Sequence, residues 1–287
     1  MTPPTWTVIG AGSALPRVGY GPAGYALRPA AGEPVTLFDC GPGTIRSLAA
    51  CGIHVREVER VVISHFHADH FLDVFALAFA RHNPALGSVA PIELVGPRGL
   101  ARRLEGVAQV LGRSVGFPDA RIIEVEVTAE PTLAGSVRAP GVARSTLANG
   151  PITLSSVRTR HTDSAVAWRA DVEPRGELPG LAGSSQRPAK RVSVAYTGDT
   201  CEVPEVAALA QGVDLFVAEC SFPDGAGTPN HLTPSSAARL ARDAGAGALL
   251  LSHFYPGTDP TEAAEAARRV FPGRVEVAVD GLSLELP

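Results

Sequence analysis

The densest group of side chains that could do chemistry lies in Ser64-His65-Phe66-His67-Ala68-Asp69-His70. Its first residue, Ser64, is the last residue of Arg60–Ser64, a largely apolar run typical of a strand buried on both faces. A spacing of two places His65 and His67 on one side of an extended segment, whereas a helix would need a spacing of three or four. Imidazoles with carboxylates suit zinc, with manganese or iron as substitutes. The motif therefore predicts a metal site at a strand end.

Further candidate ligands stand alone in the sequence, each at the end of a β-like run: His161, Asp199 and His253. Junctions between strands and loops are where α/β folds gather their sites, so we expect these residues to join the His-rich segment. His231 also lies in such a context. His54 and His82 do not, and we interpret them as surface or packing residues.

The elements that must position these residues alternate between short β-rich runs and helical stretches. The patterns predict strands at Thr5–Gly10, Val35–Asp39, Arg60–Ser64, Pro91–Val95, Ile152–Val157, Arg191–Tyr196, Asp214–Ala218, Ala248–Ser252 and Arg274–Val279. They predict helices at Gly43–Ala50, Asp69–His82, Leu100–Leu111, Pro204–Leu209, Thr233–Ala244 and Pro260–Val270. Ala129–Arg158 is rich in turns, and Pro174–Lys190 is a Gly- and Pro-punctuated loop. We expect two stacked sheets with helices outside, in one domain spanning residues 1–287.

Composition limits the class of protein. With 287 residues, 45% of them hydrophobic and 19% charged, the chain is globular in character. A net charge of −4 argues against a dedicated nucleic-acid binder, whose footprint is usually basic. The N-terminus resembles no signal peptide, and the run Phe71–Ala80 is too short to cross a bilayer. Four cysteines without a CxxC pair are expected to be buried free thiols in a cytoplasmic protein.

The ordered series His65-x-His67-x-Asp69-His70, His161, Asp199 and His253 resembles that of the metallo-β-lactamase superfamily. The resemblance implies a four-layer αββα sandwich with two Zn²⁺ ions at one edge of the sheets. It implies that His65, His67 and His161 hold one ion and that Asp69, His70 and His253 hold the other. Asp199 would bridge the two ions.

Within that superfamily the sequence is similar to the ribonuclease Z-like branch, over nearly the whole chain from Val8 to Asp280. The similar motifs are Phe38-Asp39-Cys40-Gly41-Pro42-Gly43-Thr44, Glu219-Cys220-Ser221-Phe222 and His231-Leu232-Thr233. Two features depart from it. Too few residues separate His161 from Asp199 for the folded arm that grips tRNA, and Leu15-Pro16-Arg17-Val18-Gly19-Tyr20 replaces a Pro-x-Lys-x-Arg-Asn loop. The pattern is closer to arm-less bacterial members described as cyclic-nucleotide phosphodiesterases.

The resemblance implies a metal-dependent hydrolase in which hydroxide shared by the two ions attacks the phosphorus of a small phosphodiester. Asp69 would orient that hydroxide and accept its proton. His231 is the candidate general acid for the leaving oxygen, and Glu219 would set its tautomer. Asp39 would either hydrogen-bond a ligating histidine or cap the turn before Gly41.

Three other functions remain open at this point. One is an RNA 3′-processing endonuclease, for which Arg98, Arg102, Arg103 and Arg113 could form a basic surface, although they also fit solvated helix positions. Another is a lactone, thioester or sulfate-ester hydrolase, since the fold does not fix the substrate. The last is a non-catalytic scaffold that kept the site. The branch resemblance is also compatible with a homodimer.

Overall fold

The computed structural model describes residues 2–125, 145–146, 151–173, 191–226 and 228–287. Their strands are β1 (Thr5–Gly10), β2 (Gly24–Arg28), β3 (Val35–Cys40), β4 (Val58–Val62), β5 (Glu93–Pro97), β6 (Arg121–Val125), β7 (Ser145–Thr146), β8 (Ile152–Arg158), β9 (Val166–Val172), β10 (Val192–Tyr196), β11 (Leu215–Glu219), β12 (Ala248–Ser252), β13 (Arg274–Val277) and β14 (Ser283–Glu285). They form two seven-stranded sheets, in the orders β14-β1-β2-β3-β4-β5-β6 and β13-β12-β11-β10-β9-β8-β7.

Helices cover the outer face of each sheet. The helices are α1 (Thr44–Ala50), α2 (Ala68–Phe71), α3 (Asp73–Arg81), α4 (Leu100–Leu111), α5 (Pro204–Leu209), α6 (Pro234–Asp243) and α7 (Pro260–Arg268). Short 3₁₀ turns lie at Val55–Glu57, Pro84–Leu86 and Arg113–Val115. None of the helices described is both long enough and apolar enough to cross a membrane.

The hydrophobic core has three layers, one between the sheets and one under each set of helices. Trp6, Trp168 and Leu250 pack between the sheets. Leu48 belongs to the layer under α1, α3 and α4, and Leu240 to the layer under α5, α6 and α7. Because each sheet buries both faces, its central strands are rich in apolar residues. The αββα sandwich expected from the sequence is confirmed.

Several local signals in the sequence produce the elements they predict. Helix α6 begins with Thr233 in an extended conformation and Pro234 in the first turn, and the side chain of Ser236 accepts a hydrogen bond from the Thr233 N–H at 2.7 Å. Gly245 follows the helix with a left-handed φ of 62°, a conformation that glycine adopts without steric cost. The predicted strand Thr5–Gly10 and the predicted helix Leu100–Leu111 match β1 and α4.

Other expectations are corrected. The single helix expected at Asp69–His82 is divided at Leu72 into α2 and α3. The sequence patterns do not predict strands β2, β6, β7, β9 and β14. Pro174–Lys190 and the part of Ala129–Arg158 before Pro151, apart from β7, lie outside the described residues.

The cysteine prediction holds in part. All four cysteines are free thiols, and Cys40 and Cys220 are buried as expected. Cys51 and Cys201 are partly exposed, which corrects the expectation for those two residues.

Candidate active site

The candidate residues meet at one edge of the two sheets, where several strands end. β3 and β4 are parallel in the first sheet, and β10, β11 and β12 are parallel in the second. Parallel strands bring their carboxyl ends to a common edge, and loops leaving that edge carry sites in α/β proteins. The side chains assembled there are Asp39, His65, His67, Asp69, His70, His161, Asp199, Glu219, His231 and His253.

The first ligand group consists of His65, His67, His161 and Asp199, whose potential ligand atoms lie within 4.8 Å of one another. His161 Nε2 is 3.0 Å from His67 Nδ1 and 3.6 Å from Asp199 Oδ2. His65 Nε2 lies 3.9 Å from the same carboxylate oxygen. Three imidazoles and a carboxylate from distant parts of the chain thus point at one position.

The second ligand group consists of Asp69, His70 and His253. The Nε2 atoms of His70 and His253 are 3.0 Å apart, and Asp69 Oδ2 lies 3.7 Å and 3.5 Å from them. Asp199 Oδ1 is 3.4 Å from His70 Nε2 and 3.5 Å from His253 Nε2. Its two oxygens therefore face different ligand groups, an arrangement that would let the carboxylate bridge two cations with one oxygen on each.

Buried polar atoms without a hydrogen-bond partner indicate whether these ligand groups suit a cation. His65 Nε2 and Asp199 Oδ1 are buried and have no hydrogen-bond partner among the residues that the structure describes. Leaving a buried polar group unsatisfied costs about 1–3 kcal/mol, so such atoms in a well-packed protein require an explanation. Burial holds the pKa of His65 well below its usual range, which keeps the ring neutral and its lone pair available. The donor set fits a divalent metal.

Asp39 orients His70 from behind. Its carboxylate accepts hydrogen bonds at 2.7 Å from His70 Nδ1, from the Ser64 backbone N–H and from the Tyr196 hydroxyl. Because the Nδ1 proton is directed at Asp39, the Nε2 lone pair of His70 points into the site. Of the two roles predicted for Asp39, the described residues show the hydrogen bond with a histidine and not the turn cap. The bonds from Ser64 and Tyr196 were not predicted, since nothing local marks a strand tyrosine as a partner of a distant aspartate.

Two glycines allow the ligand-bearing segments to approach one another. A Cβ on Gly41 would lie 2.0 Å from the backbone oxygen of Asp69. A Cβ on Gly198, whose φ is +54°, would lie 2.7 Å from Cβ of Ser64. Any side chain at either position would push a ligand segment away from the site.

Glu219 and His231 contact each other beside the two ligand groups. His231 Nδ1 is 3.0 Å from Glu219 Oε2 and 3.9 Å from Asp199 Oδ2. Burial and the charge of Asp199 raise the pKa of Glu219. Burial opposes a charged His231, but the hydrogen bond and charge of Glu219 outweigh it and raise the pKa of that imidazole.

Ser221 links this pair to the second ligand group. Its hydroxyl contacts Glu219 Oε2 and lies 3.1 Å from His253 Nδ1. A proton on that Nδ1 would leave the His253 Nε2 free to act as a ligand. The sequence marked Ser221 only as part of a motif, so this contact is new.

A family model described as a β-lactamase superfamily domain matches residues 36–254. The chain belongs to the metallo-β-lactamase superfamily. This superfamily member is 31% identical to a protein named ribonuclease Z from Myxococcus xanthus (strain DK1622), over 98% of this chain and 97% of the relative. It is 30% identical to one so named from Methanothermobacter thermautotrophicus, over 98% of this chain and 96% of the relative. It is therefore a ribonuclease Z-like member and a metal-dependent hydrolase that acts on ester bonds.

Solved structures share the fold of this superfamily member. A metallo-β-lactamase fold protein from Bacillus subtilis aligns with a TM-score of 0.75 and 24% identity, covering 98% of this chain and 99% of that one. The short form of human tRNase Z aligns with a TM-score of 0.69 and 21% identity, covering 99% of both chains. A diphosphatase of the PhnP family gives 0.68 and 18%, covering 99% and 98%.

Proposed function

We propose that this chain is a phosphodiesterase that hydrolyses a small, cyclic nucleotide-like phosphodiester with the help of two Zn²⁺ ions, for which Mn²⁺ or Fe²⁺ can substitute. One observation carries the proposal. The two carboxylate oxygens of Asp199 lie 3.4–3.9 Å from imidazole nitrogens of two different ligand groups. His65, His67 and His161 would hold one ion, and Asp69, His70 and His253 the other, with Asp199 between them.

Asp69 is suited to orient the attacking water and to accept its proton. Two divalent cations held by these residues would supply Lewis acidity and let water ionise near neutral pH. Burial favours the neutral carboxyl of Asp69, but the neighbouring His253 and His70 outweigh it and lower its pKa. Asp69 is therefore an anion that can orient the water by hydrogen bonding and accept its proton.

His231 is suited to protonate the leaving oxygen. Glu219 engages Nδ1, so the Nε2 atom is left to donate its proton to the alkoxide. A carboxylate on the far nitrogen fixes the tautomer and stabilises the imidazolium before transfer. A positioned general acid contributes about 10²–10⁴-fold to the rate.

A second candidate, the RNA 3′-processing endonuclease, is favoured by the names of the relatives and by one contact. The guanidinium of Arg103 lies 4.0 Å from the centre of the Phe66 ring, between His65 and His67 in the sequence. Arg98, Arg102 and Arg113 are also exposed in or beside α4. A steep loss of RNA affinity with salt would support this candidate, because phosphate contacts release counterions. The net charge of −4 favours the small substrate.

We further propose that residues 1–287 act as one domain, because each ligand group draws side chains from both sheets. β4 precedes His65 and His70, whereas β8, β10 and β12 precede His161, Asp199 and His253. Neither sheet alone would hold either ion. Self-association stays a prediction of the resemblance.

Turnover of bis(p-nitrophenyl) phosphate before and after metal removal tests the proposal. We expect the purified protein to contain about two metal ions per chain and to lose turnover on chelation. Added Zn²⁺ or Mn²⁺ should restore it. Unchanged turnover after the metal is removed would contradict the proposal. A panel of cyclic nucleotides, pre-tRNA, lactones and thioesters then separates the candidate substrates.

A further inference from the structure

Two partly exposed aromatic rings are stacked beside the site. The ring centres of Phe222 and Tyr255 are 5.1 Å apart and their planes differ by 20°. Phe222 follows Ser221, and Tyr255 lies two residues beyond His253, so both come from segments that the site itself fixes. Large aromatic residues of the core such as Trp6 and Trp168 are fully buried, whereas Phe222 and Tyr255 keep part of their surface in solvent.

The pair lies next to both the proposed acid and the second ligand group. The Phe222 ring centre is 5.5 Å from that of His231. The Tyr255 ring centre is 5.8 Å from that of His253 and 6.1 Å from that of His231. If a phosphate were bound by the ligand groups, a sugar attached to it would be long enough to bring a base to these rings.

The chemistry of the pair favours a planar group. Stacking of a base on an aromatic side chain strengthens binding by about 5- to 150-fold and tolerates any base, because every base has a π face. The phenol of Tyr255 is neutral at physiological pH, because a phenol ionises only at about pH 10. Neither ring adds a charge that would repel the phosphate.

We propose that Phe222 and Tyr255 form a stacking subsite for the nucleobase of a nucleoside phosphodiester. This inference rests on the proposed phosphodiesterase function and narrows its substrate class. It implies that alkyl and simple sugar phosphodiesters are poorer substrates than nucleoside phosphodiesters with the same leaving group. It also explains why an apolar pair stands at the edge of a site made of imidazoles and carboxylates, since the base would cover it from water.

Two chromogenic esters test the subsite. Thymidine 5′-(p-nitrophenyl phosphate) and methyl p-nitrophenyl phosphate release the same leaving group, so the ratio of their kcat/KM values reports on the nucleoside. We expect a ratio of about ten or more in the wild type, falling severalfold in Phe222→Leu and in Tyr255→Leu. Tyr255→Phe keeps the ring and should keep the ratio. Phe79→Leu removes an aromatic ring that is 61% exposed on α3 and serves as the matched control.

A binding measurement separates failure of the subsite from failure of the proposed function. Calorimetry on the zinc-loaded protein should show adenosine 5′-monophosphate binding about tenfold more tightly than ribose 5-phosphate, with the difference lost in the leucine variants. Equal affinities in the wild type would overturn the subsite even if both esters are hydrolysed. If neither ester is hydrolysed, the phosphodiesterase proposal fails, and the calorimetric ratio still decides whether the rings bind a base.

Discussion

At the scale of single residues, the site is defined by nitrogen atoms that face one another. His161 Nε2 and His67 Nδ1 are 3.0 Å apart, as are the Nε2 atoms of His70 and His253. Within each pair only one nitrogen can donate a proton to the other. The lone pairs of the facing nitrogens therefore point into the site. A cation placed among these lone pairs would satisfy them together, which is why we assign a metal role to these residues and not to His231.

Replacing His231 tests that division of roles. We expect His231→Ala to lower kcat on a phosphodiester by about 10²–10⁴-fold while bound metal stays near two ions per chain. Asp199→Asn, as the comparison, should lower the metal content, because it weakens a ligand shared by both groups. Metal analysis and kcat are measured on the same samples. Since His231 Nδ1 also lies 3.9 Å from Asp199 Oδ2, loss of metal in His231→Ala would make His231 a ligand and end its assignment as the acid.

At the scale of elements, close approach between loops is as important as the ligands they carry. The turn after β3 touches the α2 backbone at Gly41. His253, directly after β12, has a left-handed φ of 59°, a conformation that costs energy for a residue with a side chain. This backbone conformation directs the imidazole into the site. There the contacts with Asp69 and Asp199 offset its energetic cost.

A methyl group on Gly41 should disturb the second ligand group. Because the added Cβ would lie 2.0 Å from the Asp69 carbonyl oxygen, the α2 segment must move. We expect Gly41→Ala to lower the free energy of unfolding by about 1–3 kcal/mol and to weaken metal binding. Gly106→Ala is the matched control in α4, where, apart from the backbone of the helix itself, no atom of the described residues lies within 4 Å of the added Cβ. There alanine should raise the free energy of unfolding by about 0.5–1 kcal/mol. Equal effects of the two variants in denaturant titrations would contradict the steric argument.

At the scale of the whole molecule, a buried ion pair lies between the sheets. Arg60 Nε donates to Glu93 Oε2 at 2.6 Å, and the two side chains are 0% and 4% exposed. Arg60 Nη1 also donates to the backbone oxygen of Ile152 on the second sheet at 3.4 Å. The sequence had included Arg60 in an apolar run, and the structure shows that Glu93 on the neighbouring strand makes its burial tolerable.

Removing one partner of this pair should destabilise the molecule without changing the site. We expect Arg60→Met to lower the free energy of unfolding by about 3–5 kcal/mol, because among the described residues it leaves buried Glu93 with only the exposed Arg121 as a salt-bridge partner. The double variant Arg60→Met with Glu93→Met should recover much of that loss. Chemical denaturation gives the energies, and kcat of the folded variants should match the wild type. A double variant as unstable as the single one would contradict this account.

The tertiary structure also revealed β9, a strand that contains two charged residues. In β9, Val166, Trp168, Ala170 and Val172 all belong to the layer between the sheets, an alternation that could have identified the strand. Arg169 and Asp171 lie on the other face, where the Arg169 Nε and Asp171 Oδ1 atoms are 3.1 Å apart. Their mutual pairing lets two charged residues occupy a central strand.

The sequence by itself predicted a metal-dependent hydrolase, because the types of the candidate ligands, their spacing and their places at strand ends are local features. The caps of α6 and the alternation of strands and helices are local in the same way. Only the tertiary structure decided that the two oxygens of Asp199 face different groups and that Tyr196 supports Asp39. It alone brought Phe222 against Tyr255. These contacts join residues far apart in the chain, and their geometry depends on strand register and sheet packing, which no local pattern specifies.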